Sequence, residues 1–317
     1  MGIREGKDET IHFRDEINKT IMEYYEICNA IVKCSSHAFS LFHDFQHQRT
    51  ERCVFDFKPE FNVGFIRHDI DHDPFVALAM ARIEAEHGIR SSYFFLTNDS
   101  MTFHFEDPDR RRKALDAIAE IASLGHEVGL HYDCVGEFLA TGKPFAESIA
   151  EPLAWFRDHG IEINGCVAHG ASRIRKLTGR DTFPLELCNY QIWQETNPEP
   201  CEFEENGKRF SLPNMSLADF GLKYEPYFVR KDRYLSDSGG LLWRTWNKQH
   251  QPFENINESS GLDLSKWLDN PACKNEVLQI LIHPIWWVRS LGVEDFYYYG
   301  KVRPLNHILA DRVYRTW

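Results

Sequence analysis

The sequence predicts an α/β fold in which parallel strands are joined by helical crossovers. Short apolar runs alternate with longer amphipathic stretches from Val63 onward, the cadence of strand–helix–strand units. Polar, chemistry-bearing residues follow several of those runs, where parallel sheets build their sites at the C-terminal strand ends. The length agrees: 317 residues at 43% hydrophobic are ample for one large core with an attached segment.

Residues 1–60 read as a helical N-terminal extension and 61–317 as the catalytic domain. From Ile17 to Val32 the residues Ile17, Ile21, Tyr24, Tyr25, Cys28, Ile31 and Val32 recur at helical intervals. His37, His43 and His47 follow in an aromatic stretch with no carboxylate or cysteine pattern beside them, and read as packing residues. Val63–His68 is an apolar strand feeding a polar loop. Pro74–His87 is a helix with Asp73 as N-cap, Pro74 in its first turn and Gly88 as its stop. Ser91–Leu96 reads as a buried strand, Arg111–Leu124 as a helix ended by Gly125, and His126–His131 as the next strand. Phe145–His159 is a further helix and Ile161–Val167 a further strand. Across residues 178–275, strands near Asn189–Trp193, Phe210–Leu212 and Tyr234–Leu235 are expected among Pro-, Asn- and Gly-rich loops. Val277–His283 is the last strand.

Composition narrows the function. A net charge of −12 repels phosphate backbones, so no nucleic-acid partner is expected. The basic run Arg110–Lys113 opens a helix and reads as a solvated face. Cys28, Cys34, Cys53, Cys134, Cys166, Cys188, Cys201 and Cys273 form no C-x-x-C pair, which argues against a zinc finger or a disulfide framework. The N-terminus is charged and lacks an apolar h-region, and no apolar run is long enough to span a bilayer. Reduced thiols, a cytoplasmic location and no transmembrane segment are the expectation.

Three clusters carry chemistry. In His68-Asp69-Ile70-Asp71-His72-Asp73, alternate residues of an extended segment share a face, so Asp69 and Asp71 are placed to enter one pocket. Two carboxylates that close repel unless a cation lies between them or one holds a proton. Helix capping explains Asp73 and leaves the other two for function. In Gly125-His126-Glu127-Val128-Gly129-Leu130-His131 the two histidines are five apart on a strand and face opposite sides. This is not the H-E-x-x-H motif. His131, at the C-terminal end, is the better ligand, and His126 reads as a buried histidine with a backbone partner. In Ile280-Leu281-Ile282-His283-Pro284, followed by Trp286 and Trp287, an apolar strand ends in a histidine placed for general acid catalysis. His169, after the strand at Ile161–Val167, and Asp237, after Tyr234–Leu235, are weaker signals at strand ends.

In this order the clusters resemble the polysaccharide deacetylases, the NodB-homology domain of carbohydrate esterase family four, from about Val63 to Trp287. The resemblance implies a distorted (β/α) barrel of about seven parallel strands. It implies Asp69 as catalytic base and Asp71 and His131 as ligands of a divalent metal, zinc, whose bound water attacks the amide. It also implies His283 as general acid, tuned by Asp237. The family's second metal histidine falls on Val135, which cannot coordinate, so another donor is needed: His169 or Asp133, with His72 behind them. His169 stands roughly where the family carries a base-orienting arginine. The implied activity is hydrolysis of an amide C–N bond in an N-acetylated sugar or glycan precursor, in surface-polysaccharide biosynthesis. The alternatives are a catalytically degenerate relative that binds a glycan or partner, and a hydrolase of a non-sugar small amide.

Overall fold

The computed structural model describes residues 23–44, 60–97, 108–170, 189–194, 202–205, 208–238, 244–247, 250–255, 264–269, 274–287, 295–298 and 301–304. Its centre is β2 (Val63–Ile70), buried at every position, as expected of a parallel strand covered on both faces. On one side lie β3 (Ser92–Leu96), β4 (Glu127–Tyr132) and β5 (Cys166–Ala168); on the other lie β11 (Val277–Ile282) and β8 (Arg233–Ser236). These six run parallel in the order β8-β11-β2-β3-β4-β5. They form a half-barrel with flanking helices. The seventh strand and the closure implied by the resemblance are not among the pairings of the described residues.

Two additions extend the sheet. The antiparallel ribbon of β9 (Arg244–Asn247) and β10 (His250–Asn255) continues it beyond β8. The short β1 (Ala38–Ser40) pairs with Val63–Phe65 at the foot of β2, on the edge that β3 occupies higher up. Separate hairpins are formed by β6 (Glu202–Glu205) with β7 (Lys208–Ser211), and by β12 (Asp295–Tyr298) with β13 (Lys301–Pro304). Beside β5, Cys166 N donates to Tyr224 O and Lys223 N to Asn164 O, and Asp232 N then donates to Val277 O. Residues 223–232 thus run from the open edge of β5 to the start of β8.

The crossover helices begin and end where local chemistry dictates. In α2 (Pro74–Glu86), Asp73 accepts from Phe75 N at 2.7 Å, and Pro74 gives up no needed N–H at the first turn. The other crossovers are α3 (Pro108–Ser123) and α5 (Phe145–Asp158). Between β4 and α5 a short α4 (Cys134–Thr141) appears that the apolar pattern did not announce; Asp133 caps it and Gly142, at φ +77°, ends it. Gly136 is required there, since a Cβ would lie 2.5 Å from the Asp133 carboxylate oxygens. Asn189–Trp193, expected as a strand, instead forms a 3₁₀ turn over Asn189–Ile192, closed by Trp193 N donating to Tyr190 O. The strand expected over Ile161–Val167 is confined to Cys166–Ala168.

From the N-terminal segment, α1 (Glu23–Lys33) buries Tyr24, Ile27, Cys28, Ala30 and Ile31 in one cluster with Met80, Leu278, Ile280 and Trp287. Residues 17–22 and His47 lie outside the described residues. His37 and His43 do more than pack: they lie 3.6 Å from a Glu276 oxygen and 3.3 Å from a Glu127 oxygen. Cys28, Cys34, Cys134 and Cys166 are free thiols. Among the described residues no helix is long and apolar enough to cross a membrane.

Candidate metal centre with flanking base and acid

Five parallel strand ends converge on one place, those of β2, β4, β5, β11 and β8. Along β2, Arg67 and Asp69 share a face while His68 and Ile70 take the other. Arg67 Nε and Nη2 donate to the two Asp69 oxygens at 2.8 and 2.7 Å, a bidentate pair buried on both sides. Burial alone would raise the Asp69 carboxyl. The Arg67 charge, followed by His131 and His283, overcomes it and holds the group below its ordinary range.

Asp71 stands just beyond the end of β2. Its Oδ1 lies 3.2 Å from His131 Nε2 and 3.9 Å from His169 Nε2. That oxygen is buried and has no hydrogen-bond partner. Against burial, the imidazoles of His131, His169 and His283 push the Asp71 carboxyl far down, so it is a carboxylate.

His131, on β4, places Nδ1 2.8 Å from Val167 O. A carbonyl only accepts, so Nδ1 carries a proton, and Nε2 is the ring nitrogen turned toward Asp71. His169 follows β5, its main-chain N–H fixed by Tyr132 O at 2.8 Å. Its ring meets that of His131 edge-on, with centroids 5.1 Å apart. Behind it, Asp133 Oδ2 is 3.7 Å from Nδ1. Burial works to lower the His169 pKa, but Asp133 and Asp71 outweigh it and the net shift is upward. Asp133 Oδ1 in turn accepts from Gly136 N and Asn189 Nδ2, and the same Nδ2 reaches His169 O at 3.0 Å.

Asp71, His131 and His169 thus bring one carboxylate oxygen and two imidazole nitrogens within 4.8 Å of one another. A mixed N/O donor set of this kind suits a divalent cation. The 3.2 Å between Asp71 Oδ1 and His131 Nε2 is close to the edge of about 3.3 Å expected for tetrahedral bonds of ~2.0–2.1 Å, while the 3.9 Å to His169 Nε2 is longer, so His169 would move inward to coordinate. An orphaned buried carboxylate oxygen at the centre fits a cation as well. Of the three residues considered for the third donor, His169 is the one in the cluster. Asp133 stands behind it in the position of an outer partner, which orients a ligating imidazole, and His72, also buried, is outside the triad. Val135 is buried in the first turn of α4, where its N–H donates to Asn189 Oδ1.

Across the site, His283 ends β11. Its Nδ1 is 2.6 Å from Asp237 Oδ1, and its main-chain N–H also donates to Asp237. Asp237 is fully buried at the end of β8, and Trp287 Nε1 donates to its second oxygen at 2.9 Å. Trp287 is therefore a buried support of Asp237. Burial opposes a proton on His283, yet Asp237, with Asp71 and Asp69 beyond it, pushes the pKa up to about 9. The ring is an imidazolium at neutral pH.

His126 is buried as expected, with Nε2 2.9 Å from Ala81 O and Nδ1 accepting from Ser91 N. The sequence reading missed the role of Arg67, whose signal was its position two residues before Asp69 on the same strand face. It also missed Asn189, which an isolated asparagine in a loop does not announce. Compared with protein-family models, curated proteins and solved structures, the chain matches none.

Proposed function

We propose that this chain is a metal-dependent hydrolase of an amide C–N bond, deacetylating an N-acetylated sugar or glycan precursor in surface-polysaccharide biosynthesis. Zinc as the metal, a cytoplasmic location and the closed deacetylase-type barrel belong to the same proposal. One observation carries it: the Asp71–His131–His169 triad lies between an arginine-held carboxylate, Asp69, and an aspartate-held imidazolium, His283.

A divalent cation held by the triad would supply Lewis acidity, lowering the pKa of water from 15.7 toward ~7 and polarising the substrate carbonyl. Asp69, ionised and fixed by Arg67, accepts the proton of the attacking water as the C–O bond forms. His283 donates its Nε2 proton to the departing nitrogen as the C–N bond breaks, while Asp237 keeps Nδ1 engaged. The products are a carboxylate and a free amine. Asn189 and Asp133 hold His169, so the donor set is assembled from three strand ends and one turn. A binding protein without hydrolysis has no need of both an oriented base and a charged acid, which favours catalysis over the degenerate alternative.

The test is acetate release by zinc-loaded protein from a panel of N-acetylated sugars and small amides. The proposal expects turnover on at least one, reduced at least about 10²-fold in Asp69→Asn. Turnover equal in wild type and Asp69→Asn would overturn the assignment of the base, and no release from any member of the panel would overturn the deacetylase reading.

A further inference from the structure

Next to the base stands a group of side chains with no part in the steps above. The Tyr227 ring centroid lies 5.0 Å from the Arg67 guanidinium carbon and 5.0 Å from Lys231 Nζ. Its other neighbour is the Tyr190 ring, 5.7 Å away centroid to centroid. Tyr190 belongs to the 3₁₀ turn whose Asn189 holds Asp133 and the main chain of His169. The two tyrosines therefore run from the residues supporting the metal triad to the guanidinium supporting the base. Tyr227 is 38% exposed, so this wall meets solvent.

The charges along it are unbalanced. Asp69 neutralises Arg67, but Arg67 Nη1 is buried without a hydrogen-bond partner. Lys231 Nζ donates to Tyr227 O at 3.3 Å, and among the described residues no carboxylate lies within ion-pair distance of it. Burial, then the Arg67 charge, push the Lys231 amine down to about 7, with Glu225 opposing them. A cation kept half-buried beside another cation, with no carboxylate in ion-pair reach among the described residues, is at an electrostatic disadvantage that an anionic ligand relieves.

We propose that Tyr190, Tyr227 and Lys231 form an anion-binding subsite beside Asp69, and that the substrate amide carries a carboxylate or phosphate received by Lys231 Nζ. The tyrosine rings pack against the adjoining carbon skeleton, and cation–π contact holds the lysine in place when the subsite is empty. This deepens the hydrolase reading and rests on it for the word substrate; the subsite itself is testable apart from catalysis.

The experiment uses the full chain loaded with zinc and three probes: N-acetylglucosamine, its 6-phosphate, and N-acetylmuramic acid, which bears a carboxylate. Dissociation constants come from calorimetry and turnover from acetate release. At least one acidic probe is expected to bind about tenfold or more tighter than the neutral sugar, and which one does so separates phosphate from carboxylate. Lys231→Met should erase the preference and Lys231→Arg should keep most of it. Equal binding of all three probes, no binding of either acidic probe, or an unchanged preference in Lys231→Met overturns the subsite. Rapid hydrolysis of the neutral sugar with no acidic preference would sink the subsite and leave the hydrolase standing. Lys231-dependent binding of an acidic probe without acetate release would do the reverse.

Discussion

A carboxyl group buried as deeply as Asp69 would by itself hold its proton to a higher pH than one in water. The bidentate Arg67 contact reverses that, and it does so from two residues away on the same strand. His283 is the mirror case, a buried imidazole kept charged by a buried aspartate. Its folded pKa lies above the ordinary value, so under the proposed mechanism His283 would serve as acid at low pH and lose that capacity as pH rises toward about 9. A bound cation adds positive charge nearby and moves that limb to lower pH. Replacing Asp237 by Asn removes the main stabilising charge. The alkaline limb of the kcat/KM profile should then shift down by at least about one pH unit, with the maximal rate falling ~10²-fold or more. An unmoved alkaline limb in Asp237→Asn would show that His283 is not the acid.

The elements meet at a second buried carboxylate, on the helical side of the sheet. Glu84 of α2 accepts from Tyr24 of α1 at 2.6 Å and Tyr93 of β3 at 2.5 Å, and lies 2.8 Å from His68 Nε2 on β2. Tyr24 also packs edge-on against Trp287, the residue that supports Asp237. The N-terminal helix is thereby tied to the Glu84 junction and, through Trp287, to the Asp237–His283 pair. Burial opposes the Glu84 charge, but His68, His126 and Tyr24 lower its pKa from 4.5 to about 2. A depressed carboxylate contributes stability above its unfolded pKa and loses it as pH falls through the folded one. Glu84→Gln should therefore cost about 3–5 kcal/mol at neutral pH in urea unfolding. Its stability should also change less than wild type between pH 5 and pH 2. A variant as stable as wild type at pH 7 would show that this junction is not an ion pair. Tyr24→Phe, which removes one hydroxyl and keeps the ring on Trp287, should cost only about 1 kcal/mol by the same measurement; a loss as large as that of Glu84→Gln would contradict the partition.

At the scale of the whole molecule, the parallel strands and their polar ends were legible because each is a short apolar run followed by an abrupt change of character. Val63–Ile70, Ser92–Leu96, Glu127–Tyr132 and Val277–Ile282 fall within two residues of their expected bounds. Asp73 was legible as a cap because capping is local, reading from a residue to the N–H groups two and three positions on. What depends on distant partners was not. The open half-barrel, the ribbon β9–β10 and the strap of residues 223–232 beside β5 are set by pairings across long stretches of chain. The third donor was likewise undecidable between His169 and Asp133 along the chain. The two lie on adjacent strand ends, and only their arrangement in space puts one in front of the other.

The central claim is that Asp71, His131 and His169 hold one divalent cation. Elemental analysis after equilibrium dialysis against zinc tests it directly. Folded wild type is expected to retain about one ion per chain. Asp71→Ala, His131→Ala and His169→Ala should each lose most of it, while Asp133→Asn should weaken retention about 10–100-fold without abolishing it. Folded wild-type protein that stays metal-free at saturating zinc, or that retains the ion undiminished in His169→Ala, would contradict the account.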